Sequence, residues 1–421
     1  MLNVFPTIKR TAAEEALFDA YESFDGKSST SETAIVALKE HGLPSRRVEA
    51  WHYTDLRALL KDVPALAARL DDAKAAKDAA AYDAIVDTIR LPIFDGHAFA
   101  DLCEKTPDGV SITVNENAFE AEVRKDNTIG LMTQAFAGDC VNVVVDAGAT
   151  IDKPIGLAHV AGDTSALAVN QQSIEFGAGA KATVVERYLQ KGNEAYQNSA
   201  VTNLVVGDNA DATYVIVQQM GAAATHLGQI NITLGTDANL MLFVLNAGGK
   251  LTRQEVNVDV AGENSDFQLR GVNLIGDSQH IDVTMDLHHN VPNTTSEEII
   301  RNVVTGKGKG VFQGRIAVAQ IAQKTDAKMA CNTLLLSDDG DFSTKPELEI
   351  FADDVLCGHG ATFTDLEPSY LFYLMSRGIP EKEARALLIK GFVDEIVEDL
   401  NNEPLEAAFV SVIDGWLDTN G

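Results

Sequence analysis

The apolar positions of this chain change period once, and that change divides it. Residues 11–24 (TAAEEALFDAYESF) place Leu17, Tyr21 and Phe24 three or four apart on one side, and residues 32–41 continue in the same way, so both are predicted as helices. GLPSRR makes a turn, and AWHYTDLRALL resumes with Trp51, Leu56 and Leu59 available for packing. Residues 66–89 are rich in alanine with Asp and Lys interleaved, which predicts one further helix carrying only a thin apolar stripe. Proline and glycine in LPIFDGH end this regime near Arg90.

Beyond residue 100 the helical spacing gives way to short β-rich runs punctuated by Gly, Asp and Asn. GAGAKATVVER starts at Gly177, GDNADATYVIV at Gly207, GTDANLMLFVL at Gly235 and GENSDFQLRGV at Gly262, at successive offsets of 30, 28 and 27 residues. Each begins with a glycine turn and then alternates apolar with polar positions, the pattern of a solenoid whose coils stack on one another. A coil of this length has room for two or three strands and their corners, and the Asn-Gly or Asp-Gly hairpin turns of a meander are absent from the repeats. The pattern therefore favours a right-handed parallel β-helix over a β-sandwich. Val184, Tyr214, Leu242 and Leu269 are predicted to stack inward, with Gln218 and Arg187 facing out.

Leu348 and Ile350 mark the last β edge, and Pro368 opens an apolar run of helical spacing. That helix carries Leu371, Leu374 and Met375 on one face and stops at Gly378; Pro380 begins another, in which Leu388, Phe392 and Ile396 recur every four residues. A final helix is predicted over residues 405–417. The fold class is thus mainly β with flanking α: a helical domain over residues 1–100, a β-helix core over 101–360 and a second helical domain over 361–421. The last of these would also cap an exposed coil end, as solenoids require.

Composition narrows the partners. Sixty-two acidic residues against 33 basic give a formal charge of -29 in 421 residues, which opposes nucleic-acid phosphate and anionic membrane surfaces alike. MLNVFPTIKRTAAEEALF lacks the apolar run and small-residue cleavage site of a secretion signal, and nowhere do 18 apolar residues follow one another. With four sparse cysteines, Cys103, Cys140, Cys331 and Cys357, the expected location is the cytoplasm, without a disulfide framework. No C-x-x-C occurs, so this chain alone is expected to hold neither a thiolate zinc site nor a complete iron-sulfur cluster.

Several stretches invite a chemical reading. TGKGKGVFQG, residues 305–314, fails both the Walker and the G-x-G-x-x-G patterns and is predicted as a basic turn between coils. His288 and His289 are adjacent, so a strand would point them to opposite faces and at most one could meet a common metal. Cys331, before Leu334, Leu335 and Leu336, reads as a core thiol. Cys357 and His359 differ: a Cys-x-His step in an extended segment points thiol and imidazole to the same side, Gly358 and Gly360 allow a tight backbone path, and a soft metal or sulfur species is a suitable guest. No serine-histidine-acid triad can be assembled from these positions.

Three segments together resemble a known family. GLPSRRVEAWHYTDL at residues 42–56, AQKTDAKMACNTLLLSDDGDFSTKPELEI at 322–350, and the continuation through CGHG to EKEARALLIKGFVDEI at 381–396 are similar to the paralogous SufB and SufD scaffold proteins of the SUF iron-sulfur cluster assembly system. The resemblance implies a β-helix between two helical domains and a non-enzymatic scaffold. It also implies pairing with a SufB-like paralogue and docking of a SufC-like ABC ATPase on the C-terminal helices, here Leu371, Leu374, Leu388, Phe392 and Ile396. Self-pairing of the isolated chain is a further expectation. Where these paralogues carry Cys-Ser-His-Gly, this chain has Cys357-Gly358-His359-Gly360; the histidine thought to serve nascent clusters maps onto His359, and the family cysteine onto Cys357. His359 would then hold metal together with ligands from the partner, around a transient cluster at the interface. Compact length, the early WHYTDL segment and a single signature cysteine resemble the SufD branch more than the SufB branch. The alternative of a different class is a carbohydrate-active β-helix lyase or hydrolase, which the lack of a secretion signal disfavours.

Overall fold

The computed structural model describes residues 9–115 and 120–420. Residues 1–8, where the stretch searched for a secretion signal begins, lie outside the described residues. Helix α1 (Ala12–Glu22) starts at Thr11, whose hydroxyl accepts from the Glu14 amide while Glu14 reaches back to the Thr11 amide at 2.7 Å. Helix α2 (Ser29–His41) is capped by Ser28 and ends at Gly42, whose φ of 68° a side chain would resist. Helices α3 (Leu56–Leu59) and α4 (Asp72–Ala80) are short. The helix expected over residues 66–89 is thus confined to its middle: Ala67 instead donates to the Leu167 carbonyl at 2.8 Å, and the alanine stripe buries only Ala75 and Ala79, too little to hold a longer helix.

Two sheets make the body. Among the described residues, sheet I has ten strands running from Ile89–Phe94, with a short antiparallel flank at His97–Ala98, to Leu356–Thr364. Sheet II has nine, from Val110–Asn115 to Asp341–Ile350. The chain alternates between them, so each full coil gives one strand to each sheet and like positions stack in parallel register. Val184 pairs with Tyr214, Tyr214 with Leu242 and Leu242 with Leu269, all 0% exposed. The repeat glycines form the corner between the sheets. Gly207 donates to the Phe176 carbonyl at 2.8 Å and Gly235 to that of Val206 at 2.8 Å. A Cβ on Gly262 would lie 2.0 Å from the Gly235 backbone, so only glycine lets this corner stack.

The inside of the rod is not wholly apolar. Gln218 lies within it, contrary to the outward position expected from alternation, because its amide donates to Thr252 Oγ1 at 2.7 Å and to the Gly248 carbonyl at 3.2 Å. Below it in the same row, Asn246, Asn273 and Asn302 pass hydrogen bonds of 2.8 Å from coil to coil. Arg187 does face out, but Tyr82 and Asp83 cover it. Residues 309–318 form a strand; only the glycine turn before it matches the expected loop.

Helices cover both flanks. Helix α5 (Thr128–Ala135) is buried on every side and joins α1 and α2 over sheet II, where Leu17, Leu38, Ile129 and Met132 meet Val201, Leu227 and Leu251. The three C-terminal helices are α6 (Pro368–Ser376), α7 (Glu381–Val397) and α8 (Glu403–Asn420). Of these, α7 and α8 lie along sheet I, setting Ile389, Val393 and Ile413 against Val215, Leu245 and Val272 and stacking Phe409 on Phe243 at 4.8 Å. They therefore clad the rod's side, and its last coil stays uncovered.

Candidate functional site

The uncovered end consists of the strands Asp341–Ile350 and Leu356–Thr364, the outermost of each sheet. Cys357, His359 and Ala361 pair in register with Ala327, Met329 and Cys331, which all face the core. Cys357 and His359 therefore point the same way, toward the rod axis, as the Cys-x-His spacing predicts. His359 is exposed and Cys357 half-buried. Burial pushes the Cys357 thiol above its ordinary range; the Ala327 backbone opposes this, and the charges of Asp326 and Glu298 add to it. The glycines are not there for a tight path: neither Gly358 nor Gly360 has positive φ, and a Cβ on either would meet nothing within 4 Å.

Apolar side chains surround this pair. Ile350, Phe351, Leu356 and Phe363 are 40–70% exposed, an unusual density for one coil, and Phe363 leans on Phe342 at 6.0 Å. The strands' outer edges carry unpaired backbone groups, a template for further strands. Lys345 on the last strand of sheet II bonds Glu49 at 2.5 Å, tying the end to the N-terminal segment.

That segment has a structural explanation. Trp51 is fully buried, lies 3.9 Å from the Arg253 guanidinium and donates to the Asp126 carbonyl at 2.9 Å. Arg253, itself 0% exposed, pairs with Glu255 and Asp282 and donates to the Ala50 carbonyl at 2.8 Å; Thr54 bonds Asp282 and His280. Residues 49–54 are thus clasped onto sheet II. Arg253 escaped the sequence reading because the Trp51 ring and Ala50 carbonyl it holds lie some 200 residues away, and Asp282 one coil on.

Helix α6 follows directly from the uncovered strand and has no buried residue, although it reads PSYLFYLMS. Tyr370, Phe372, Tyr373 and Met375 are exposed, with Leu387 of α7 beside them. Leu371 and Leu374 are half-exposed. Leu388 and Phe392 lean on the cluster that covers sheet I, and Ile396 is 1% exposed within it. The sequence reading took Leu371, Leu374 and Met375 as this helix's apolar face and missed the exposed aromatics, although a helix apolar on all sides is a signal of burial against a further surface.

The other candidates separate. His289 is buried facing inward, its imidazole pushed down to about 4 by burial, while His288 faces out and pairs with Asp286 at 3.1 Å. Cys331 is 1% exposed and burial raises its thiol to about 11, as expected of a core cysteine. Among the described residues no three His, Cys, Asp or Glu side chains converge to hold a metal ion, and no helix is long and apolar enough to cross a membrane.

The family described as SUF system FeS cluster assembly, SufBD core domain, matches residues 159–392. The chain belongs to this SufBD family. Among its relatives, the iron-sulfur cluster assembly protein SufD of Escherichia coli (strain K12) is 29% identical over 392 residues, covering 90% of each chain. A SufBD-family iron-sulfur cluster assembly protein of Synechocystis is 26% identical over 408 residues, covering 88% of this chain and 89% of the relative. A chloroplastic Arabidopsis thaliana protein, ABCI7, is 30% identical over 282 residues, 64% of this chain and 58% of its own. The match to the SufBD core domain spans every inward row of sheet I from His159 to the uncovered strand, as well as α6.

Proposed function

We propose that this SufBD-family chain is a non-enzymatic scaffold subunit of a SUF iron-sulfur cluster assembly complex. In this reading it pairs through its uncovered coil with a SufB-like paralogue, and its exposed helix α6 docks a SufC-like ABC ATPase. Iron and sulfide are cargo, held transiently between His359, Cys357 and groups of the partner. The observation that carries the reading is the uncovered end itself, where unpaired strand edges, exposed apolar side chains and an inward-facing Cys357 and His359 coincide. Neutral imidazole can ligate iron, but two side chains do not complete a cluster's coordination, so a second chain is required. Near-complete coverage of a relative named SufD supports assignment to that branch. The polysaccharide-acting alternative has no support in the family.

The ATPase contact falls to α6 and not to the whole C-terminal region, since Ile396 is spent on holding α7 to sheet I. Removing everything after residue 361 would bare Val215, Phe243 and Leu245, so point substitutions make the cleaner test. Phe372→Ser with Tyr373→Ser should abolish co-purification of the ATPase while leaving the paralogue bound and the melting temperature unchanged, because neither side chain is buried. Full retention of the ATPase would refute this docking surface.

A further inference from the structure

Inside the last coils sits a carboxyl with no partner. Glu298 occupies an inward position of the strand Thr295–Val304, is 0% exposed, and neither of its oxygens has a hydrogen-bond partner. Among the described residues it is alone in this. Glu186 accepts from Tyr188 at 2.5 Å and Tyr214 at 2.8 Å, Glu255 and Asp282 bind Arg253, Asp95 accepts from Tyr196 and Gly162, and Glu14 accepts from Thr11 and Leu43. An isolated buried carboxyl survives by keeping its proton: burial pushes Glu298 up to about 8, and the Ser296 hydroxyl, close by but outside hydrogen-bond geometry, and the Arg270 charge oppose this only in part.

Its position gives the proton a use. Glu298 pairs in register with Met329, and Met329 with His359, so the carboxyl lies two strands beneath the uncovered end in the row that leads to His359. Ser296, Ala327 and Cys357 form the neighbouring row. Among the described residues, no cation lies beside it within the rod. Leu269 lies beneath on the preceding strand, whose Asp266 and Arg270 act from beyond it, and Glu297 faces away on its own strand. The facing sheet presents Met285, Leu287 and Ile316, and its inward His289 is uncharged at neutral pH and bonded to Ser296 and Thr294. Met329 and Ala327 lie between the carboxyl's strand and the last one.

We infer that Glu298 is the internal counter-charge of the open-end site: a divalent metal cation held at His359 drives the proton off Glu298, so that cation binding and proton release are coupled. The inference rests on the reading of His359 as a metal-holding residue. The step balances without any redox change: the aqueous cation enters, the carboxylic acid becomes a carboxylate, and one proton leaves to solvent. Two strand spacings are about 10 Å. At that distance, with an effective dielectric constant of about 20, a divalent charge weakens the carboxyl's hold on its proton by on the order of a hundredfold, enough to empty it at neutral pH. By linkage the emptied carboxylate strengthens cation binding in return. Glu298 is thus a positioning residue that acts through charge and touches no ligand.

The test uses the assembled complex with its paralogue and ATPase, with Co²⁺ as the probe, titrated calorimetrically at pH 7 in two buffers of different protonation enthalpy. Glu298→Gln keeps the shape and removes the ionisation; Glu298→Leu serves as a second variant. Wild type should release about one more proton per His359-dependent Co²⁺ than either variant and bind it on the order of tenfold more tightly. His359→Ala should lose that binding event. Equal proton release and equal affinity in wild type and both Glu298 variants would overturn the coupling while leaving His359 as a ligand. Binding that survives His359→Ala, or no binding in wild type, would overturn both readings.

Discussion

Truncating Leu242 to alanine tests the stacked-coil account where it is most quantitative. Leu242 is 0% exposed and held between Tyr214 and Leu269 in one row of sheet I. Three carbons are lost, worth about 2.4 kcal/mol at about 0.8 kcal/mol each. The backbone on either side is pinned by ladder hydrogen bonds, so the row cannot close over the gap. A void of about 60 Å³, the share of about two waters, adds about 1.5 kcal/mol at about 24 cal/mol per Å³. The expected loss is therefore about 4 kcal/mol. Urea denaturation followed by circular dichroism should show the midpoint falling at unchanged slope. Val205→Ala, on an outward and 46% exposed position of sheet II, should cost less than about 0.5 kcal/mol. A cost under about 1 kcal/mol for Leu242→Ala, or equal costs at the two positions, would refute the reasoning.

Two further outcomes follow from the buried charges. Arg253→Lys keeps the charge but cannot fork across Glu255 and Asp282 while lying under Trp51, and should lower stability by about 2–3 kcal/mol, read as a fall in melting temperature. Glu298→Gln should alter the pH dependence: the unfolded carboxyl ionises near 4.5 and the folded one near 8, so wild type loses stability as pH rises through that window and levels off above it. The stability of Glu298→Gln relative to wild type should therefore rise by about 3 kcal/mol between pH 4 and pH 7, and an unchanged difference would contradict a protonated Glu298.

How much of this was legible in the sequence depended on whether a residue's partners lay in its own repeat. Alternation after each corner glycine was enough to align Val184, Tyr214, Leu242 and Leu269, because parallel stacking repeats one local pattern. The same alternation misassigned Gln218, an interior amide bonded to a neighbouring coil, since polarity stands in for direction only when the interior is apolar. Helix α5 was invisible: eight residues buried on all sides show no amphipathic period. Cys357 and His359 were found through strand geometry and family likeness together, and the structure brings them to one side of one strand. What no spacing could reveal was that the C-terminal helices clad the rod's flank and leave its end bare, or that Glu298 lies unpaired in the row beneath His359.

The central claim is that His359 at the uncovered end serves cluster assembly in a complex with partners. Its most direct test is to express wild type, His359→Ala and Cys331→Ala each with the paralogue and ATPase, confirm equal assembly by size and composition, and measure iron and acid-labile sulfide per complex. His359 is exposed and lines no core, so its alanine variant should assemble fully yet carry far less iron and sulfide, whereas Cys331→Ala should change cluster content only as far as lost packing lowers the amount of folded complex. Equal iron and sulfide in wild type and His359→Ala would contradict the account.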